Sequence, residues 1–234
     1  MTASPTWFPD EIGLAGRENL DEEHVQRYDG KMDADAAAET DLLRSYGLGA
    51  ETVLLEFGPG TGQFTLAVAR TAARVIAVDV SPPMLRSLGQ KLANQRITNV
   101  ELVQAGFLSY QHAAPPVDVV YSRYALHHLP DFWKAIALQR LRHMMRPGAI
   151  LRLWDVVYDF TLEEAEQRIE AWCASGGASV EDEWIRAELE EHVRDEHSTF
   201  SWLLEPMIER SGFSIEAVEH TPHTFDAKYV VKAR

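Results

Sequence analysis

A single cysteine, Cys173, stands in 234 residues, so no internal disulfide can brace the fold and a reducing, cytoplasmic location is the expectation. Long apolar runs are missing as well. The longest are only a few residues, as in Val75–Val78, far short of the roughly 18 that a membrane span needs. The opening residues are acidic and lack the apolar stretch of a signal peptide. Positive charge is scarce: 22 Lys and Arg face 36 Asp and Glu, a net charge of −14. A polyanion-binding face is therefore not expected, and neither nucleic acid nor a membrane is the expected partner. What is present is ordinary globular composition, 46% hydrophobic and 25% charged, at a length suited to one domain of 1–234 with an embedded cap, as a monomer or homodimer.

Three zones follow along the chain. Residues 1–50 are polar and acidic with scattered aromatics and end in a helix expected from about Ala34 to Tyr46, stopped by Gly47-Leu48-Gly49. From Glu51 to Val157, short β-branched runs alternate with helical periods. Val53–Phe57, Val75–Asp79, Val100–Val103, Val117–Tyr121 and Ile150–Trp154 read as strands, with Leu85, Leu88 and Leu92 on one helical face between two of them. Such alternation predicts a parallel sheet covered on both faces. The last zone opens with acidic, helix-favouring sequence. It continues with a helix over about Trp202–Arg210 and closes with strands over Ser214–Val218 and Phe225–Lys232. The final strand alternates with a period of two, which predicts one covered face and an antiparallel addition to the sheet.

The chemistry gathers at the end of the first predicted strand. Val53-Leu54-Leu55-Glu56-Phe57 runs into Gly58-Pro59-Gly60-Thr61-Gly62 and then into a helix from Gln63. Glycines permit a tight turn and let a ligand approach the backbone, and a helix N-terminus favours a negative group. The second strand ends in Asp79, placed to accept hydrogen bonds from ribose hydroxyls. Loop, strand and acid together predict a nucleoside-containing cofactor.

As an ordered set these residues resemble the class I S-adenosylmethionine (SAM)-dependent methyltransferase family. Glu56-Phe57-Gly58-Pro59-Gly60-Thr61-Gly62 looks like its first motif, and Val78-Asp79 with Ser81-Pro82-Pro83-Met84 looks like its second-strand region. Asp118–Ser122 with Ala125-Leu126-His127-His128-Leu129-Pro130-Asp131 resembles its fourth strand and turn, and Leu141–Ala149 its approach to strand five. The resemblance implies a doubly wound, seven-stranded, Rossmann-like α/β sheet, mostly parallel with an antiparallel last strand. The core would be about 40–157 and 201–234, with helical cap segments at about 1–39 and 158–200. It implies that Glu56 and the backbone of Gly58 and Gly60, within the Gly58–Gly62 turn, hold the amino-acid end of SAM. Asp79 would take the ribose, Met84 would pack on the adenine, and Ser122 would face the methionine portion. The family often carries an acid at the third strand's end that meets the adenine amino group. Here Ala105-Gly106-Phe107 stands there, so Gly106 supplies no side chain and the amide of Phe107 is left to contact the ring.

Two other readings use the same loop. A nicotinamide dinucleotide fingerprint asks for a small third residue where this chain has Gln63, and a non-catalytic SAM-binding module needs no further residue at all. Methyl transfer from a sulfonium is mostly alignment in a dry site, giving S-adenosylhomocysteine as product, so a catalytic side chain is hard to name. Candidate bases are His127 and His128, with Tyr28, Tyr124, Asp155 and His197 as further pocket candidates. The remaining histidines form no convincing ligand set, and no metal is expected. The acids and aromatics of residues 1–50 and 158–200 suggest a small, partly apolar or cationic acceptor. Residues 1–45 and 158–200 are expected to lie over the carboxyl ends of strands one, four and five.

Overall fold

The structure is a computed structural model and describes residues 5–16, 19–22, 25, 35–177, 184–221 and 223–234. Five strands come first: β1 (Val53–Phe57), β2 (Arg74–Asp79), β3 (Val100–Gln104), β4 (Val117–Arg123) and β5 (Met145–Tyr158). They lie parallel in the order β3-β2-β1-β4-β5. Leu55 of β1 sits in register with Ile76 on one side and Val120 on the other. These strands read as near-continuous apolar runs because both faces are covered. β5 runs well beyond the expected Ile150–Trp154, its flanks gaining partners at both ends: Met145 pairs with Val117, and Val157 and Tyr158 pair with the short β6 (Thr199–Phe200).

The chain closes with β7 (Phe213–Thr221) and β8 (Asp226–Ala233), and β8 lies between β5 and β7, antiparallel to both. The period of two in its sequence does not mean one wet face. Tyr229 and Val231 enter one apolar cluster while Val230 enters the cluster on the opposite face, and all three are buried. The sheet is thus doubly wound and Rossmann-like, in the order β3-β2-β1-β4-β5-β8-β7, with β6 as an added strand at the end of β5.

Helices clothe both faces. α2 (Ala36–Ser45) and α3 (Gln63–Val68) bring Leu43, Phe64 and Val68 against Leu54, Val75 and Val119. α4 (Pro82–Gln95) adds Leu88 and Leu92 over Ala77. Its start is set by sequence: the Ser81 hydroxyl accepts from the Met84 amide at 3.2 Å, and two prolines fill the first helical positions, where no amide partner is needed. On the other face α5 (Asp131–Met144) and α8 (Ser201–Arg210) bury Leu138, Leu141, Leu204 and Ile208 against β4, β5 and β8.

The remaining segments part company with the expected cap. The short α1 (Glu11–Leu14), begun by Asp10, reaches the loop after β3 rather than the ends of β4 and β5: the Glu11 carboxylate accepts from the amides of Leu108 and Ser109. α2 packs on the sheet face instead of over its edge, because Leu43 and the buried Glu39 tie it there. α6 (Ala165–Ser175) and α7 (Arg186–Asp195) do gather at the end of β5, around Val156, Tyr158, Phe160 and Phe225. The helix expected over Val180–His197 begins at Arg186 in its described part.

Candidate active site

A cleft opens along the carboxyl edge of the sheet, where the connections leaving the paired strands β1 and β4 run to opposite faces. That point is the topological switch of a doubly wound sheet, the usual binding place of the class. Phe57, Gly58 and Gly60 follow β1; Asp79 and Val80 end β2; Ala105, Gly106 and Phe107 follow β3; Arg123, Tyr124, Ala125 and His128 follow β4. Met84 rises from α4, and Glu11, Leu14, Ala15 and Asn19 come from the N-terminal segment.

The glycine turn is built for close approach. Gly58 has φ +70, and a Cβ there would fall 2.6 Å from the Ala125 Cβ. Gly62, with φ +90, faces away from the cleft: its Cβ would meet Leu88 at 2.2 Å, so this glycine serves the packing of α3 on α4. Asp79 ties the turn to β2, accepting from the Gly60 amide at 3.2 Å and the Ser81 amide at 2.8 Å. Burial pushes its carboxyl up to about 6 despite these bonds. Glu56 is buried beneath the turn, not in the cleft wall, and accepts from the Thr65 hydroxyl at 2.6 Å. Burial, with Asp79 adding to it, pushes Glu56 up to about 8. Ser122 also lies behind the wall, fully buried with its hydroxyl unpartnered.

The histidine pair divides. Asp155, on β5, accepts from the amides of Leu126 and His127 at 2.9 and 3.1 Å and from the His127 ring at Nδ1, which fixes the turn after β4. The other ring nitrogen of His127 lies 2.9 Å from Glu196, which also contacts His192 at 2.6 Å. Burial works against the charged imidazole, yet the two carboxylates hold His127 up to about 10, so it is protonated and takes no further proton. His127, Asp155 and His197 therefore do not line the cleft; His197 is held by its backbone, which bonds His127 and Lys134. His127, His192 and Glu196 offer ligand-type atoms within 4.8 Å of one another, all of them engaged in this imidazole–carboxylate pairing.

His128 packs against the His127 ring, with centroids 4.3 Å apart. It lines the cleft, its Nδ1 has no partner, and burial next to charged His127 drives it down to about 3. It is a neutral imidazole. Tyr124 also reaches the cleft, with its hydroxyl donating to Asp226 at 2.5 Å. Tyr28 lies outside the described residues. Two lining residues had no sequence signal: Glu11, which arrives from a distant segment, and Arg123, whose guanidinium lies 4.1 Å over the Trp154 ring and 4.8 Å over Tyr124. Among the lining residues Arg123 alone carries a fixed positive charge.

The fold is of the doubly wound α/β class, with its cleft at the switch point. Residues 54–148 match the family model described as methyltransferase domain. An uncharacterized methyltransferase of Geobacillus kaustophilus is 27% identical over 208 residues, covering 85% of this chain and 90% of that one. The uncharacterized methyltransferase YrrT of Bacillus subtilis is 32% identical over 117 residues, half of each chain. Among solved structures, the N-methyltransferase NodS of Bradyrhizobium japonicum superposes with a TM-score of 0.63 at 15% identity, covering 96% of this chain and 98% of that one. The cyclopropane synthase MmaA2 of Mycobacterium tuberculosis gives 0.68 at 14% identity, covering 97% and 100%. These two likenesses concern the fold. Residues 54–148 thus match a methyltransferase domain, and along most of its length the chain is similar to uncharacterized methyltransferases.

Proposed function

We propose that the chain methylates a small molecule seated at the β4 end of the cleft, with SAM lying along the β1–β3 edge. One observation carries the reading: a single groove joins a glycine cradle at β1, an acid at the end of β2 and, after β4, a neutral imidazole whose Nδ1 has no partner. The residues fit the cofactor. Asp79 keeps lone pairs beyond those given to Gly60 and Ser81 and suits a diol, while the backbone of Gly58 and Gly60 leaves room for the amino-acid portion. Met84 and Phe107 offer apolar surface for the base, and Glu56, with Gly62 and Ser122 behind the wall, would act on the amino-acid end through the turn.

When bound, SAM supplies an electrophilic methyl on a sulfonium. The chain then has to align the acceptor, keep water out and remove a proton where the nucleophile is O–H or N–H. His128 faces the cleft as a neutral imidazole, and because burial and His127 drive it down to about 3 it suits a hydrogen bond that positions the nucleophile rather than holding its proton. Tyr124 is committed to Asp226 and serves the wall. Arg123, packed on Trp154, adds a positive end to the acceptor region, so an acceptor bearing an anionic group suits it better than the cationic one that composition suggested.

The net charge of −14, the lone cysteine (3% exposed) and the lack of any helix long and apolar enough to cross a membrane among the described residues support a cytoplasmic enzyme without a nucleic-acid partner, monomeric or homodimeric. Calorimetry tests the cofactor: S-adenosylhomocysteine should bind near micromolar, about −8 kcal/mol, and NAD should give no heat. Tight binding of NAD alone would overturn the reading. A panel of small carboxylates, amines and phenols, scored by S-adenosylhomocysteine release, then tests the acceptor.

A further inference from the structure

Gly106 leaves a gap after β3, and a side chain from the far end of the chain fills it. A Cβ built on Gly106 would fall 2.3 Å from Glu11 Oε1 and 2.8 Å from Oε2. Both oxygens are held in place, Oε1 by the Leu108 amide and Oε2 by the Ser109 amide, each at 2.9 Å. Each carboxylate oxygen has two lone pairs, so one remains on each after these bonds. Glu11 also lines the cleft, beside Gly106 and Phe107.

The position within the cleft gives that carboxylate a task. Asp79 sits between the β1 turn on one side and the β3 loop on the other, since β2 pairs with both strands and Asp79 itself is in register with Gln104. With the ribose on Asp79 and the amino-acid portion on the glycine turn, the purine must extend toward Ala105, Gly106 and Phe107. Adenine presents there an exocyclic amine, a donor that no side chain of Ala105, Gly106 or Phe107 can pair.

We propose that Glu11 is the acceptor for the adenine amine, an acid delivered by the N-terminal segment into the space that Gly106 vacates. This rests on the cofactor reading above. Two consequences follow. The base site is incomplete without α1, so the N-terminal segment belongs to the cofactor site and not to the acceptor site. A side chain at position 106 and Glu11 are also mutually exclusive occupants: an acid at position 106 and an acid at position 11 would collide and repel.

The experiment measures binding of S-adenosylhomocysteine and of S-inosylhomocysteine, whose hypoxanthine replaces the amine with a carbonyl acceptor. It uses calorimetry on the full chain, with thermal unfolding to verify folding. The wild type should favour the adenosyl compound by at least tenfold, since a carboxylate facing a carbonyl leaves both unpaired. Glu11→Ala should lose about tenfold in adenosyl affinity and most of the discrimination. Gly106→Asp should destabilise the wild type but be tolerated beside Glu11→Ala, where it should restore the preference for adenine. Gly106 has no positive φ, so the backbone accepts the change. If Glu11→Ala weakens both ligands equally, or neither, Glu11 is only a brace for the 106–109 turn and the proposal is wrong. Failure of the wild type to bind either compound would overturn the cofactor reading together with it.

Discussion

Arg152 of β5 and Glu39 of α2 meet in a two-pronged ion pair, Nε to Oε2 at 2.8 Å and Nη2 to Oε1 at 2.6 Å, with both side chains buried. The pair staples α2 to the middle of the sheet, beside the Tyr229 carbonyl that Arg152 also approaches at 3.5 Å. A buried pair adds little over an apolar one, but breaking it strands a charge. Glu39→Ala should therefore cost about 3–5 kcal/mol in urea unfolding, while Glu39→Leu with Arg152→Met should cost far less. Equal losses for the single and double variants would refute this account.

Much of the fold could be read from the chain because parallel strands buried on both faces announce themselves as short β-branched runs. The glycine turn did the same through spacing. The parts that stayed hidden depend on contacts between distant residues. Nothing local marks Glu11 as a neighbour of Gly106, or Glu39 as the partner of Arg152. A period of two predicts one covered face for the last strand, yet Val230 is buried because β8 is an interior strand with helices on both sides. The adjacent His127 and His128 were indistinguishable in sequence, and only the carboxylates of Asp155 and Glu196 separate them.

Asp79 anchors the turn while facing the groove, so the choice of substitution matters. Asp79→Ala would release the Gly60 and Ser81 amides as well as the ribose. Asp79→Asn keeps one acceptor oxygen and removes the charge. Charge-assisted bonds contribute roughly 1.5–3 kcal/mol each, so Asn should weaken S-adenosylhomocysteine binding about tenfold or more, and Ala further still. Calorimetry checks both; an Asn variant that binds as the wild type does would place the ribose elsewhere.

Glu56 couples stability to pH in the opposite sense from a surface acid. Burial raises its carboxyl from 4.5 to about 8, so the folded chain holds a proton that the unfolded chain has released. Stability from this group is present below 4.5 and is lost as pH rises through about 8. Glu56→Gln keeps an acceptor for Thr65 and removes the ionisation. The ligand-free variant should melt above the wild type at pH 8 and close to it at pH 5. A wild-type melting temperature that rises over that interval relative to the variant would contradict the assignment.

The two histidines should respond to substitution in different currencies. His127 is a charged strut between Asp155 and Glu196, held up to about 10 from 6.5. A raised imidazole contributes stability fully present below 6.5 and lost as pH rises through about 10. Asp155 and Glu196 are both held below their ordinary ranges, chiefly by the histidines acting against burial, so their contribution is lost on the acid side instead. The network should therefore be strongest near pH 5–6, and wild-type melting should fall from pH 7 to 10 more steeply than that of His127→Asn, which starts lower. His128 carries none of this load: it is driven to about 3 and remains neutral across the same range. His128→Ala should fold, bind S-adenosylhomocysteine within a few-fold of wild type, and lose about tenfold in turnover of an O–H or N–H acceptor, the worth of one positioning hydrogen bond from an imidazole too weakly basic to hold the proton. Unchanged turnover in His128→Ala would mean that His128 makes no bond to the acceptor, leaving the rest of the cleft to align it.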